Sequence, residues 1–336
     1  MHECPSLALI GYGAISEEFY LPALAKVPGF RDRLWIVEPS AARRDVALRQ
    51  FGIRPQNCVP SIAELPEGVE GAFNATPSHL HLSTSLALLE RGIAIFVEKP
   101  FAETAADAHA ILDAAETRLV TANQFRRRFP AYGLAGEMIR NGDLGQIRNI
   151  VWDEGYRFAW PTQSGFYFRR PWAGRPRGAL LDTGVHVLDI ICWWLGGAQP
   201  CVKAAFLDGF GGPEGFASAT LTAGVTSIEI KVSFLDRLAN RYVIEGENGT
   251  LEGAILDMQR VIHTPRNGSP RSIIARGASS KAEIGDELIG NFIEALAGRA
   301  QPLIDGRSVL PALCTLDAIY GTATSDLPAY YQEWVA

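Results

Sequence analysis

The stretch from Leu7 to Val27 constrains this chain most. A short apolar run, Leu7 to Ile10, breaks at Gly11-Tyr12-Gly13-Ala14-Ile15-Ser16, and a helix-forming segment from Ser16 to Val27 follows. Glycines between a strand and a helix let the backbone turn sharply and bring a helix N-terminus up to the carboxyl end of the strand. Pro22 must lie in the first turns of that helix or kink it. The unit then repeats. Leu34 to Val37 reads as a strand, Ala41 to Phe51 as a helix stopped by Gly52, and Val69 to Ala75 as a strand. His81 to Arg91 reads as a helix closed by Gly92, Ile93 to Val97 as a strand, Ala105 to Glu116 as a helix and Leu119 to Ala122 as a strand. Strands alternating with helices at this pitch predict a doubly wound parallel sheet with helices on both faces.

After Asn123 the rhythm changes. An arginine-rich stretch leads to strand-like runs at Ile147 to Trp152, Ala217 to Leu221, Thr226 to Phe234 and Arg241 to Ile244, with one helix among them. Consecutive strands without intervening helices predict an open, mostly antiparallel sheet. Gly246 to Thr250 reads as a hairpin turn in which Asn-Gly supplies positive φ angles. Two helices, about Ile284 to Leu296 and Ser308 to Thr322, close the sequence. A length of 336 residues exceeds what one core sustains, and the change of pattern sets the expected domains at 1–122 and 123–336. The fold class is thus α/β followed by α+β.

Composition narrows the partners. A formal net charge of −6 disfavours nucleic acid, whose phosphates call for a clustered basic excess. The five cysteines are scattered, odd in number and never in a C-x-x-C pair, so neither a disulfide framework nor a thiolate zinc site is indicated. No segment reaches the roughly 18 apolar residues of a membrane span, and the first residues carry no basic region or small-residue cleavage pattern. A cytoplasmic protein with a small-molecule substrate is expected.

The glycine turn is the context in which backbone N–H groups of Gly11, Gly13, Ala14 and Ile15, with the helix dipole, meet a pyrophosphate. Ser16 stands where a third glycine is usual. Glu38 ends the second strand at about the 20-residue spacing expected of the acid that accepts hydrogen bonds from the adenosine ribose. A carboxylate there repels a 2′-phosphate, so NAD is expected over NADP, with Arg43 and Arg44 keeping NADP open. Asn74-Ala75-Thr76-Pro77 and Glu98-Lys99-Pro100 end the next two strands and should face the same crevice. Pro100 biases Lys99 towards extended backbone. In the helix that begins at Gly178, the residues Asp182, His186 and Asp189 are spaced to share one face. An imidazole beside a carboxylate suits general acid/base work near neutral pH.

In combination, the glycine turn, Thr76 to His81, Glu98 to Pro100, the run GALLDTGVHVLD and the closing segment Asn291 to Tyr320 resemble the family of glucose-fructose oxidoreductase, inositol dehydrogenase and MocA proteins. That resemblance implies a Rossmann domain followed by a domain on an open sheet, with an NAD(P)-dependent hydride transfer at a hydroxyl-bearing carbon of a sugar, sugar derivative or cyclitol. It maps Lys99, Asp182 and His186 onto the family's catalytic lysine, aspartate and histidine. It places Thr76, Pro77, His81, Glu98 and Lys99 along the cofactor. Sequence position adds Tyr156, Arg169 and Trp172, with Lys99, Asp182 and His186, as substrate-binding residues. An exposed apolar face on the second sheet would favour a homodimer or homotetramer. Two rivals stay open: a divalent-metal isomerase or hydrolase using Asp182, His186 and Asp189, and a non-catalytic nucleotide-binding protein of the same fold.

Overall fold

The structure is a computed structural model and describes residues 5–159, 178–208 and 213–324. The chain divides into two units. One is Met1–Phe125 with Ser280–Leu310, and the other is Arg126–Ser279 with Pro311–Ala336. The first unit therefore takes back a helix that the sequence reading left in a single 123–336 domain.

The first unit is built on six strands, β1 (Leu7–Ile10), β2 (Leu34–Val37), β3 (Cys58–Val59), β4 (Gly71–Asn74), β5 (Ala94–Val97) and β6 (Val120–Ala122), all parallel and in the order β3-β2-β1-β4-β5-β6. The order reverses between β1 and β4, which is where open sheets of this kind hold their ligands. Every residue of β1, β4 and β5 is buried, as expected of strands covered on both faces. Helix Lys281–Leu296 supplies part of that cover. Phe292 packs against Phe73 at 5.1 Å and Phe96 at 5.7 Å between ring centroids. A Cβ on Gly71 would lie 2.9 Å from Leu296 Cδ2, so a larger residue here would have to displace side chains of this helix. Helix Ala41–Phe51 starts on Ser40, whose side chain accepts from Arg43 N, and stops at Gly52 with φ 63°. The helix after the glycine turn is shorter than predicted. It opens as a π-helical turn, Ser16–Tyr20, in which Leu21 N–H reaches Ser16 O, and continues only over Leu21–Leu24. Pro22, lacking an N–H, lies at the junction.

The second unit carries eight strands: β7 (Ile147–Gly155), β8 (Cys201–Asp208), β9 (Phe216–Ala223), β10 (Thr226–Ser233), β11 (Arg241–Gly246), β12 (Gly249–Ala254), β13 (Arg260–Pro265) and β14 (Arg271–Ile274). Their order is β14-β13-β12-β11-β7-β10-β9-β8, antiparallel except for β7 with β10. The β11–β12 hairpin forms, with Gly249 of the Asn-Gly pair at φ 156°, but the residues between its strands are held differently from expected. Its central residues are Glu247 and Asn248, neither has positive φ, and their N–H groups bond Gln146 O at 3.1 Å and Leu144 O at 2.9 Å. Helix Pro130–Arg140, absent from the sequence reading, buries Ala131, Tyr132, Ala135 and Met138. Tyr132 joins Trp152, Trp194 and Tyr242 in one aromatic cluster with centroids 5.2 to 5.8 Å apart, tying this helix to β7, β11 and the helix that ends at Trp194. Exposed positions on this sheet include Glu229, Lys231, Arg241 and Glu245 on β10 and β11, and Ile262 and Ile274 on β13 and β14, a mixed polar and apolar surface.

Candidate active site

Gly11 takes φ 90°, and a Cβ there would sit 2.9 Å from Ala75 O, so both conformation and space demand glycine. A Cβ on Gly13 would meet nothing within 4 Å, which leaves its backbone open to close approach. Ser16 fills the place of the third glycine by turning inward. It is fully buried, and its Oγ donates to Gly11 O at 2.9 Å. The first turn of the helix leaves the N–H groups of Gly13, Ala14 and Ile15 at its head, where an anion would accept from them.

Glu38 is tied into the same turn. Its carboxylate accepts Tyr12 N at 3.0 Å and Ser40 N at 2.9 Å, and two carboxylate oxygens keep capacity for further donors such as ribose hydroxyls. The neighbouring arginines are occupied by main-chain oxygens. Arg44 donates to Glu38 O at 2.7 Å and Pro39 O at 2.9 Å. Arg43 donates to Tyr12 O, and its guanidinium lies 5.3 Å from the centre of the Tyr12 ring. These residues fit a dinucleotide, the turn for its pyrophosphate and Glu38 for its ribose.

The tips of β4 and β5 are stitched together by His81. This ring is 1% exposed, with Nδ1 2.8 Å from Pro100 O and Nε2 2.9 Å from Thr76 O. Burial pushes its pKa down to about 4, although both carbonyls favour the protonated ring. The imidazole thus braces the two tips from inside. Thr76 and Pro77 follow β4, and Thr76 Oγ1 donates to Asn74 Oδ1 at 2.7 Å. Glu98 is also buried. Its Oε1 accepts Tyr20 OH at 2.8 Å and Asn123 Nδ2 at 2.5 Å, and its Oε2 accepts Lys99 N at 2.9 Å. Burial holds this carboxyl above the usual range. The Lys99–Pro100 peptide bond is cis, and Lys99 is partly exposed just beyond the tip of β5.

In the second unit, Asp182 and His186 lie on one continuous helical run, the π-helical turn Leu180–Gly184 followed by Val185–Trp194, and both are buried. π-Turns of this kind concentrate at functional sites. Tyr156, just past β7, reaches the same turn, its hydroxyl 3.1 Å from Thr183 Oγ1. Asp189 does not join them. Arg127 grips it in a bidentate pair, Nε to Oδ2 at 2.8 Å and Nη2 to Oδ1 at 2.7 Å. Arg126 does the same to Glu154 at 2.8 and 2.7 Å. Sequence reading gave neither arginine a role. Their signal was three arginines between Phe125 and Phe129, which is more charge than an apolar-flanked turn holds without buried partners. Among the described residues no three His, Cys, Asp or Glu side chains gather into a metal-ligating set. The rival metal face is therefore not formed. Arg169 and Trp172 lie outside the described residues.

A parallel sheet in this strand order, with a glycine turn at its reversal point and an acid ending the second strand, defines a dinucleotide-binding Rossmann protein. Comparison with known proteins sharpens this. An oxidoreductase family model with an NAD-binding Rossmann fold matches residues 6–123, and the GFO/IDH/MocA C-terminal domain matches residues 132–252. The chain belongs to the Gfo/Idh/MocA family of oxidoreductases. It is 27% identical over 338 residues to D-apiose dehydrogenase of Paraburkholderia graminis, covering 94% of this chain and 87% of that one. It is 33% identical over 170 residues to the rhizopine catabolism protein MocA of Rhizobium meliloti, covering 49% of each. The chain spans about half the length of several curated relatives it matches. Its fold is that of aldose-aldose oxidoreductase from Caulobacter crescentus complexed with glycerol, at TM-score 0.80 and 21% identity, covering 95% of this chain and 97% of that one. Levoglucosan dehydrogenase in complex with NADH and levoglucosan shares it too, at TM-score 0.79 and 21% identity, covering 94% and 96%. Among the described residues no helix is long and apolar enough to cross a membrane.

Proposed function

We propose that the chain is an NAD-dependent dehydrogenase or reductase acting on a CH–OH carbon of a sugar, sugar derivative or cyclitol, with NADP as a second possible cofactor. The observation that carries this reading is the strand tip at Glu98-Lys99, anchored by a buried carboxylate on the same sheet edge as the open glycine turn. The names of the relatives, D-apiose dehydrogenase and levoglucosan dehydrogenase, support a sugar-like substrate. The nicotinamide, when bound, supplies the hydride chemistry. His186 takes the hydroxyl proton as the carbon is oxidised and returns it in the reverse direction. Lys99 stabilises the charge developing on that oxygen, and Asp182 orients the substrate hydroxyl. Tyr156, with Arg169 and Trp172, is assigned to the substrate ring.

His186→Ala and Lys99→Ala, assayed by nicotinamide absorbance against a panel of aldoses and cyclitols, should each lose about 10²- to 10⁴-fold in kcat. Their affinity for the nucleotide should hold. Turnover at the wild-type rate in either variant removes that residue from the mechanism. We further assign the protein to the cytoplasm as a homodimer or homotetramer associating through its second sheet, where Ile262 and Ile274 are exposed on β13 and β14. A monomer in sedimentation at working concentration overturns the oligomer.

A further inference from the structure

The helical run that carries Asp182 and His186 begins without a cap of its own, since Ala179 at its N-cap position offers no side-chain acceptor. The first N–H groups of a helix need acceptors from elsewhere. Here one distant residue supplies them. Glu214, in the segment before β9, accepts Ala179 N on its main-chain oxygen at 2.9 Å and Leu180 N on Oε1 at 3.0 Å. Tyr320, on helix Leu310–Thr322, donates its hydroxyl to the same Oε1 at 2.7 Å. The fit is close: a Cβ on Gly178 would lie 2.2 Å from Glu214 O, so only glycine lets the two segments meet. Glu214 is 3% exposed, so these bonds are made away from bulk solvent.

We propose that Glu214, steadied by Tyr320, is a positioning residue that sets where the π-helical turn places Asp182 and His186. The inference rests on the assignment of those two residues as the reactive pair. The run opens on a π-turn, a rare departure from the α-helix that recurs at functional sites, and an outside acceptor at its start fixes where that turn begins. A carboxylate also suits this place because the positive end of the helix dipole faces it. Asp182 N closes the turn on Gly178 O at 3.1 Å, so displacement of residues 178–180 carries directly into Asp182.

The test uses the full chain with NAD and the aldose or cyclitol that the wild type turns over fastest. Glu214→Ala should lower kcat by about 10- to 100-fold, the range for a misplaced catalytic group, with the NAD Kd unchanged. Amide hydrogen exchange should speed up over residues 180–186. Glu214→Gln keeps an oxygen for Leu180 and Tyr320 and should restore kcat to within about threefold of wild type. Tyr320→Phe should lose a few-fold in kcat, and it stands in for Glu214→Ala should that variant not fold. Wild-type kcat in Glu214→Ala, or Glu214→Gln as slow as Glu214→Ala, overturns the proposal, as does a loss of NAD binding that matches the loss of kcat. His186→Ala run in parallel separates the two ideas. Full turnover there overturns the reactive pair itself, whereas a slow His186→Ala beside a fast Glu214→Ala overturns only the positioning role.

Discussion

The backbone N–H of Lys99 is held at 2.9 Å by the side chain of the residue before it, Glu98. The same carboxylate takes the Tyr20 hydroxyl and the Asn123 amide, so three segments of the first unit meet at one buried group. Removing it leaves these buried donors without their acceptor. Glu98→Ala should destabilise the protein by about 2–5 kcal/mol, from the usual cost of leaving two or three buried polar groups unpaired. Turnover should fall as well, because the main chain of Lys99 loses its anchor. Urea denaturation and steady-state assays on the same preparation check both, and a wild-type denaturation midpoint would refute the first.

The pair between Arg127 and Asp189 is the second such device. Burial raises the Asp189 carboxyl while Arg127 opposes that shift. Breaking one side of a buried pair leaves an uncompensated charge, at a cost of about 3–5 kcal/mol. Arg127→Met alone should show that loss, and Arg127→Met with Asp189→Leu should recover most of it. A double variant no more stable than the single one would contradict this account.

His81 gives a pH dependence with a definite sign. Its folded pKa of about 4 lies below the ordinary 6.5, so the unfolded chain binds the proton more tightly. The stabilisation from the neutral ring is complete above pH 6.5 and is lost as pH falls from 6.5 to about 4, by at most about 3 kcal/mol. Glu98 and Glu214, raised by burial, act in the opposite sense, their ionisation costing stability as pH rises through their folded values. Unfolding free energy measured across that window should fall less steeply in His81→Gln than in wild type. Parallel curves for the two proteins would count against it.

Glu38 should govern the choice of nucleotide. Its carboxylate is fixed by Tyr12 N and Ser40 N at the end of β2, and Arg43 and Arg44 are engaged with main-chain oxygens. Glu38→Ser should weaken NADH binding by about tenfold or more through loss of charge-assisted hydrogen bonds, and improve NADPH relative to NADH. Fluorescence titration with both nucleotides measures this. An unchanged ratio would detach Glu38 from ribose recognition.

The alternation of strand and helix up to Ala122 was legible because each element is decided locally. Ser40 and Gly52 bound one helix by cap chemistry, and a buried parallel strand shows as an unbroken apolar run such as Ala94–Val97. Helix Pro130–Arg140 escaped because it follows directly on an arginine run in which Arg126 and Arg127 are buried against carboxylates far away in sequence, which hides its apolar stripe. Strands β8, β13 and β14 escaped for a related reason. Each has at most one buried residue, so no strong in-out alternation marks them.

The sequence alone determined the glycine turn, the acid at its expected distance and the candidate polar side chains, because spacing along the chain specifies each of these. Only the tertiary structure decided how those side chains are used. Asp189 left the polar face for Arg127, His81 became an internal brace, and Glu214 came to hold a helix start from some thirty residues away. Such choices turn on which buried donor finds which acceptor, and that pairing is made in space, between segments whose separation in sequence carries no record of it.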